Sequence, residues 1–274
     1  MRIDRRALRA AGIILATAAA LSGAQAAERA EAVDRTALRV CADPASPPLS
    51  VQDGSGVENR IAELFARALK VPVRYVWFPS GMGFYRQTLN LRRCDIVMGT
   101  AAGNDIAATT IRYYRSTYVL VTRTKDGITA SRLDDPALAR RSIGVQVRTP
   151  AADLMARSGP MDRMKSYDLM IDSRNDSVGR RLIQDLEAGR IDGAILWGPI
   201  AAHFTGATPA MYRMTPLAGD PDLPMAYDIA MAVRFGEPRW RAQVDQLIRD
   251  HRTQIATILS AARIPLLPMP ETKP

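Results

Sequence analysis

Cysteine and histidine are almost absent from this chain of 274 residues. Two cysteines, Cys41 and Cys94, rule out a disulfide-dense scaffold and a four-cysteine zinc site, and C-x-x-C is absent. Two histidines, His203 and His251, argue against a histidine-based metal centre. Neither has a nucleophile beside it, so no Ser-His-Asp arrangement can be built. Beyond the N-terminus no apolar run reaches the length of a membrane span. Lysine is scarce, with Lys70, Lys125, Lys165 and Lys273 only, and no basic run carries interleaved aromatics. Nucleic acid is therefore not the expected partner.

What is present fits a folded, exported α/β protein. Apolar residues make up 47% and charged residues 24%, which supports a core and excludes global disorder. Residues 1–26 read as a signal peptide: Arg2, Arg5, Arg6 and Arg9, an apolar stretch over 10–21, then Ala24-Gln25-Ala26. Arg5-Arg6 fits either an ordinary basic n-region or a twin-arginine signal. Cleavage after Ala26 removes a net +3 from the formal +9 and leaves about +6, almost all from arginine. That balance reflects either a base-composition bias or a surface that steers an acidic partner. Export to a bacterial periplasm is expected, where a disulfide can persist.

Strand and helix then alternate twice. Leu38 to Ala42 reads as a strand, Glu58 to Lys70 as a helix stopped by Pro72, Val73 to Phe78 as a strand, Phe84 to Arg92 as a helix, and Cys94 to Gly99 as a buried strand. A second unit follows: a strand over 142–147, a helix capped by Thr149 with Pro150 at its first position, a helix from Val178 closed by Gly189, and a strand over 191–197. Ile229 to Val233 is a further strand, and Glu237 to Leu259 carries one long helical stripe. Asp95 and Asp192 open corresponding strands and read as turn or helix-end partners. Two segments, 117–123 and 226–233, can cross between the units, which makes the first lobe discontinuous: 36–119 with 226–268, against 120–225 for the second, with a cleft between.

Leu38-Arg39-Val40-Cys41-Ala42-Asp43-Pro44, Gly56-Val57-Glu58-Asn59-Arg60-Ile61-Ala62-Glu63-Leu64, Cys94-Asp95-Ile96-Val97-Met98-Gly99 and Tyr113-Tyr114-Arg115-Ser116-Thr117-Tyr118 resemble the type II periplasmic solute-binding fold. More narrowly, the first lobe resembles the solute-binding-like accessory proteins of quinoprotein methanol dehydrogenase systems (MxaJ/XoxJ type). The resemblance implies a bilobal α/β fold, two parallel-sheet lobes joined by two crossover strands. It implies a non-catalytic periplasmic protein that assists assembly or activation of a pyrroloquinoline quinone (PQQ) alcohol dehydrogenase, its expected protein partner. No cofactor or metal is expected on this chain itself, and the partner's metal, calcium or a lanthanide, is left open.

In such a fold the cleft is lined by loops at the carboxyl ends of strands. That places Asp43, Pro44, Trp77, Phe78, Gly99, Thr100, Arg148, Thr149, Trp197 and Pro199 near its mouth, with Tyr113 and Tyr114 just before the first crossover. Trp77 and Trp197 either line an apolar groove for a partner segment or pack in the cores, and Arg148 either meets an anion or is solvated. Strands bearing Cys41 and Cys94 would be neighbours in this fold. A bridge would close a loop of about 53 residues, worth roughly 4 kcal/mol. Two unpaired thiols are the alternative, since Cys41 is late in its strand and Cys94 early. Amino-acid binders of this fold hold the ligand carboxylate with an arginine in a Thr-x-x-Arg setting shortly after the third-strand glycine. Here Arg112 comes later, beside the tyrosines, so that clamp is displaced or lost. A receptor delivering a small organic solute to an ABC importer is the alternative function. An enzyme on this fold, such as a dehydratase, lacks a visible acid–base pair.

Overall fold

The computed structural model describes residues 31–167 and 177–269; the signal segment 1–26 lies outside the described residues. In chain order come β1 (Leu38–Ala42), the short hairpin strands β2 (Ala45–Ser46) and β3 (Ser50–Val51), α1 (Val57–Leu69), β4 (Val73–Trp77), α2 (Phe84–Gln87), β5 (Ile96–Ala101), β6 (Ala108–Thr109) and β7 (Tyr114–Arg123). Then follow β8 (Ile143–Gln146), α3 (Pro150–Ser158), β9 (Met164–Tyr167), α4 (Val178–Glu187), β10 (Gly193–Trp197), α5 (Gly198–Thr205), β11 (Tyr212–Pro216), β12 (Ala226–Val233), α6 (Pro238–Asp250) and α7 (Arg252–Ala261).

The long strands form one path, β4-β1-β5-β12-β7-β10-β8-β9. Its two wings are parallel: β1 pairs with β4 and β5, and β8 pairs with β10 and β9. The middle is antiparallel, because β7 and β12 are the crossovers. Tyr114 to Thr117 of β7 pair with β12, whereas Tyr118 to Thr122 pair with β10. One ten-residue strand thus changes partners midway and belongs to both lobes.

Alternation along the strands divides the cores. In the first lobe Val40, Ile96 and Met98 face α1, α6 and α7 through Ile61, Phe65, Trp240, Val244 and Ile255, while Cys41, Val97 and Ala232 face Phe84 and Leu89. In the second lobe Val119, Val121 and Leu196 meet α4, and Leu120, Ile143 and Ile195 meet α3. Helix α1 ends as its sequence dictates: Lys70 turns left-handed (φ 58°) and donates back to Arg67 O before Pro72.

Two helices depart from the sequence reading. The helix expected over Phe84 to Arg92 is a single turn. Gly83 enters it at φ 90°, Thr88 leaves the helical region with its hydroxyl donating to Phe84 O (2.6 Å), and Leu89 drops into the core beside Cys94. The long stripe from Glu237 to Leu259 breaks at His251 into α6 and α7. No glycine or proline marks that break. The His251 ring lies 6.2 Å from that of Phe65 on α1, so packing against α1 accompanies the bend. The strands β2, β3, β6, β9 and β11 were not legible in the periodicity; each is short or half-exposed.

Cys41 and Cys94 form a disulfide, with Cα atoms 5.5 Å apart. The register objection does not apply, because Cys94 precedes β5, which begins at Ile96, and Cys41 pairs with Val97. Asp95 secures the same corner. It accepts Nε and Nη2 of Arg39 (both 2.7 Å) and Nη2 of Arg234 (2.6 Å), and its carbonyl accepts the Trp240 indole (2.9 Å). Asp192 accepts the amide of Ser142 and lies beside Arg123 and Arg141. Both aspartates are structural partners.

Candidate functional site

The carboxyl ends of β1 and β5 open into a cavity of about 270 Å³. Asp43 caps β1 and turns inward. Its carboxylate accepts the amides of Ala45 (2.8 Å) and Ser80, and its carbonyl accepts the Ser50 hydroxyl (2.8 Å). Glu58, in the first turn of α1, reaches the same space. Its side chain lies over Gly99, where an added Cβ would run into Oε1. A larger residue at 99 would push the carboxylate aside.

Electrostatics set the character of this space. Burial, then the charge of Asp43, pushes the Glu58 carboxyl up to about 7. No arginine or lysine lines the cavity among the described residues. Phe84 and Tyr85 form one wall in an edge-to-face pair, and the Tyr85 hydroxyl bonds with Thr100. Ile106, 54% exposed, lines the cavity, and Met82, 97% exposed, follows its lining residue Gly81, so apolar surface flanks an acidic hollow. The arrangement suits a cationic or hydrogen-bond-donating group and disfavours a free carboxylate.

A second feature sits at the crossovers. Tyr118, Trp197 and Tyr227 pack edge to face, with centroids 5.3, 6.0 and 6.5 Å apart. Tyr118 also packs on the second-lobe core, whereas Trp197 and Tyr227 pack on the first-lobe core. All three stay partly exposed, and burial pushes the Tyr118 phenol up to about 12.

The residues singled out from sequence therefore separate. Asp43 and Gly99 line the first-lobe cavity; Pro44 adjoins it, and Thr100 touches it through Tyr85. Phe78 packs beside Phe84 against the disulfide, and Trp77 stacks on Tyr75 at 4.6 Å against the first-lobe core. Tyr113 and Tyr114 form an edge-to-face pair, and Tyr113 donates to Met98 O (2.7 Å); burial raises both phenols. Thr149 caps α3 through Ala152 N, Arg148 is an exposed residue at φ 59°, and Pro199 is buried in the first turn of α5. Arg112 lies outside the cavity and pairs with Asp228 (2.7 Å). Sequence reasoning missed Glu58, Tyr85, Tyr118 and Tyr227. In the sequence Glu58 only marks the start of the predicted helix; its one signal was a first-turn position facing a strand-end glycine. Among the described residues no group of His, Cys, Asp and Glu could hold a metal ion, and no helix is long and apolar enough to cross a membrane.

No family model matches the chain. It is 30% identical over 280 aligned positions to Protein MoxJ of Methylorubrum extorquens, covering 96% of this chain and 93% of that protein. The crystal structure of periplasmic binding protein XoxJ from Methylobacterium extorquens AM1 superposes with a TM-score of 0.71 at 34% identity, covering 85% of this chain and all of that one. The crystal structure of MxaJ from Methlophaga aminisulfidivorans MPT superposes at 0.73 with 22% identity, covering 84% of this chain and all of that one, a likeness of fold.

Proposed function

We propose, since this chain belongs to the MoxJ and XoxJ family of periplasmic solute-binding-like proteins, that it is a non-catalytic accessory protein of a PQQ-dependent methanol or alcohol dehydrogenase. It is exported, loses residues 1–26, and works in the periplasm on the assembly or activation of that enzyme. Its lobes are residues 36–119 with 226–268, and 120–225. The change of partner within β7 between Thr117 and Tyr118 supports that division.

The observation that carries the reading is full-length kinship together with a first-lobe cavity that no guanidinium lines among the described residues. A receptor for free amino acids needs a fixed positive group for the ligand carboxylate. This cavity offers Asp43 and Glu58 instead, flanked by exposed Met82 and Ile106. Those features favour a segment of a protein partner, bound through apolar area around a donor group. Of the twelve strand-end and crossover residues named from sequence, from Asp43 to Pro199, the proposed contacts are Asp43 and Gly99 in one lobe and Trp197 at the crossovers, whereas Tyr114 and Pro199 are buried and Phe78 and Thr149 serve the fold.

Deleting the gene tests the reading. Dehydrogenase activity should fall or lag on alcohol growth, and tagged protein should retain the dehydrogenase on a column. Unchanged activity and lag would end the proposal. A saturable thermal shift with a small solute, without dehydrogenase retention, would instead support the importer receptor, since a ligand at 100 times its Kd adds about 2.7 kcal/mol.

A further inference from the structure

A second cavity, of about 220 Å³, lies where the segment entering β7 crosses the junction of α6 and α7. It shares no lining residue with the cavity of Asp43 and Glu58. Its walls are Ile111, Ile248 and Ile255, and its charged rim is Arg112, Arg249 and Arg252. The segment is tied at both ends: the Ile111 amide donates to Asp245 Oδ1 (2.8 Å) on α6, and the Tyr113 hydroxyl donates to Met98 O (2.7 Å) on β5. The space is therefore built into the fold and not left by a loose loop.

No carboxylate lines this cavity among the described residues. Those on the flanking elements are engaged. Asp228 holds Arg112 and Arg115 (2.7 and 2.9 Å), Asp245 takes the Ile111 amide, and Asp250 takes the Gln246 amide group (2.6 Å). Arg249 donates through Nε and Nη2 to Gln246 Oε1, a neutral acceptor, and the Arg252 side chain has no hydrogen-bond or ion-pair partner among the described residues. The first turn of α7 carries no acidic residue.

Two guanidinium groups without a carboxylate, beside three isoleucines, define an unusual combination of preferences. Planar guanidinium forks match a carboxylate in geometry and charge. Aliphatic walls reward an apolar body. The volume falls below the roughly 300–1,000 Å³ that drug-sized ligands fill, so the occupant is small. We propose that this cavity is a binding site for a small organic acid, a monocarboxylate with an aliphatic or aromatic body, held by Arg249 and Arg252 over Ile248 and Ile255. The proposal does not depend on the dehydrogenase reading.

The test uses the mature chain and 4-fluorobenzoate followed by fluorine NMR. Saturable broadening is expected, weakened by raised salt because the rim is exposed. Arg249→Gln with Arg252→Gln should weaken binding about tenfold or more. Both side chains are exposed, so the variant should melt with the parent, which circular dichroism checks. Absence of saturable binding overturns the assignment. So does a double variant that binds equally well, or equal binding of uncharged 4-fluorobenzyl alcohol. The blocked peptide acetyl-Leu-Glu-Leu-amide is the last arm: displacement of 4-fluorobenzoate by lower concentrations of peptide would assign the cavity to an acidic polypeptide and overturn the small-acid reading.

Discussion

Glu58, partly exposed where the first turn of α1 meets the cavity, has its proton affinity changed by its surroundings. Its carboxyl is raised from 4.5 to about 7, so the fold favours its protonated form. The sign follows from linkage: the folded state binds this proton more tightly than the unfolded chain does. The contribution to stability is complete below about pH 4.5 and is lost as pH rises through 7, at most about 3 kcal/mol. Melting followed by circular dichroism across that window should show a decline in the parent that Glu58→Gln flattens; parallel curves would contradict the burial argument. Asp95 matters through its ion pairs: its side chain is 1% exposed, between Arg39 and Arg234. Asp95→Ala would leave the Arg234 guanidinium, 9% exposed, without this partner, and should cost about 3–5 kcal/mol in a urea titration.

At the scale of elements, the Cys41–Cys94 bridge governs more than its own two residues. It closes a loop of 53 residues that contains α1, β4 and α2. Replacing both cysteines by serine should lower unfolding free energy by roughly 4 kcal/mol on the chain-entropy argument. Hydrogen exchange should locate the loss. Amides over 84–93 should exchange earlier, since Leu89 and Phe84 pack directly on the bridge. Helix α3 offers a smaller test. Thr149 accepts from Ala152 N (3.3 Å) and donates to Gln146 O (2.8 Å), so Thr149→Ala should cost about 1 kcal/mol by thermal melting.

For the whole molecule, the decisive feature is that the lobes share strands instead of meeting across a linker. Tyr118, Trp197 and Tyr227 sit where β7, β10 and β12 converge, half-exposed and packed on both cores. If a partner segment docks in the cleft, these rings are natural anchors. Tyr227→Ala, which opens less of the core than a change at Trp197, should weaken retention of the dehydrogenase by about 2 kcal/mol, some thirtyfold, in a titrated pull-down. Retention unchanged in that variant would remove the crossover cluster from the docking surface.

Much of this architecture was readable from local pattern. Leu38 to Ala42 is a strand because its apolar run is bounded by turn residues, and α1 runs to Leu69 because Ile61, Phe65 and Ala62 recur on one face before Lys70 and Pro72 stop it. The crossovers at 117–123 and 226–233 were visible as apolar runs with no helical period. Local pattern could not place Glu58 in a cavity, bring Tyr118 to Tyr227, break the last helix at His251 or set Arg249 beside Ile111. Each of these depends on what the far end of the chain brings alongside. Period and turn chemistry are properties of neighbours in sequence, so the elements and their order follow from the residues alone. Burial, proton affinity and the company of charges are properties of neighbours in space, and those only the packed structure decides.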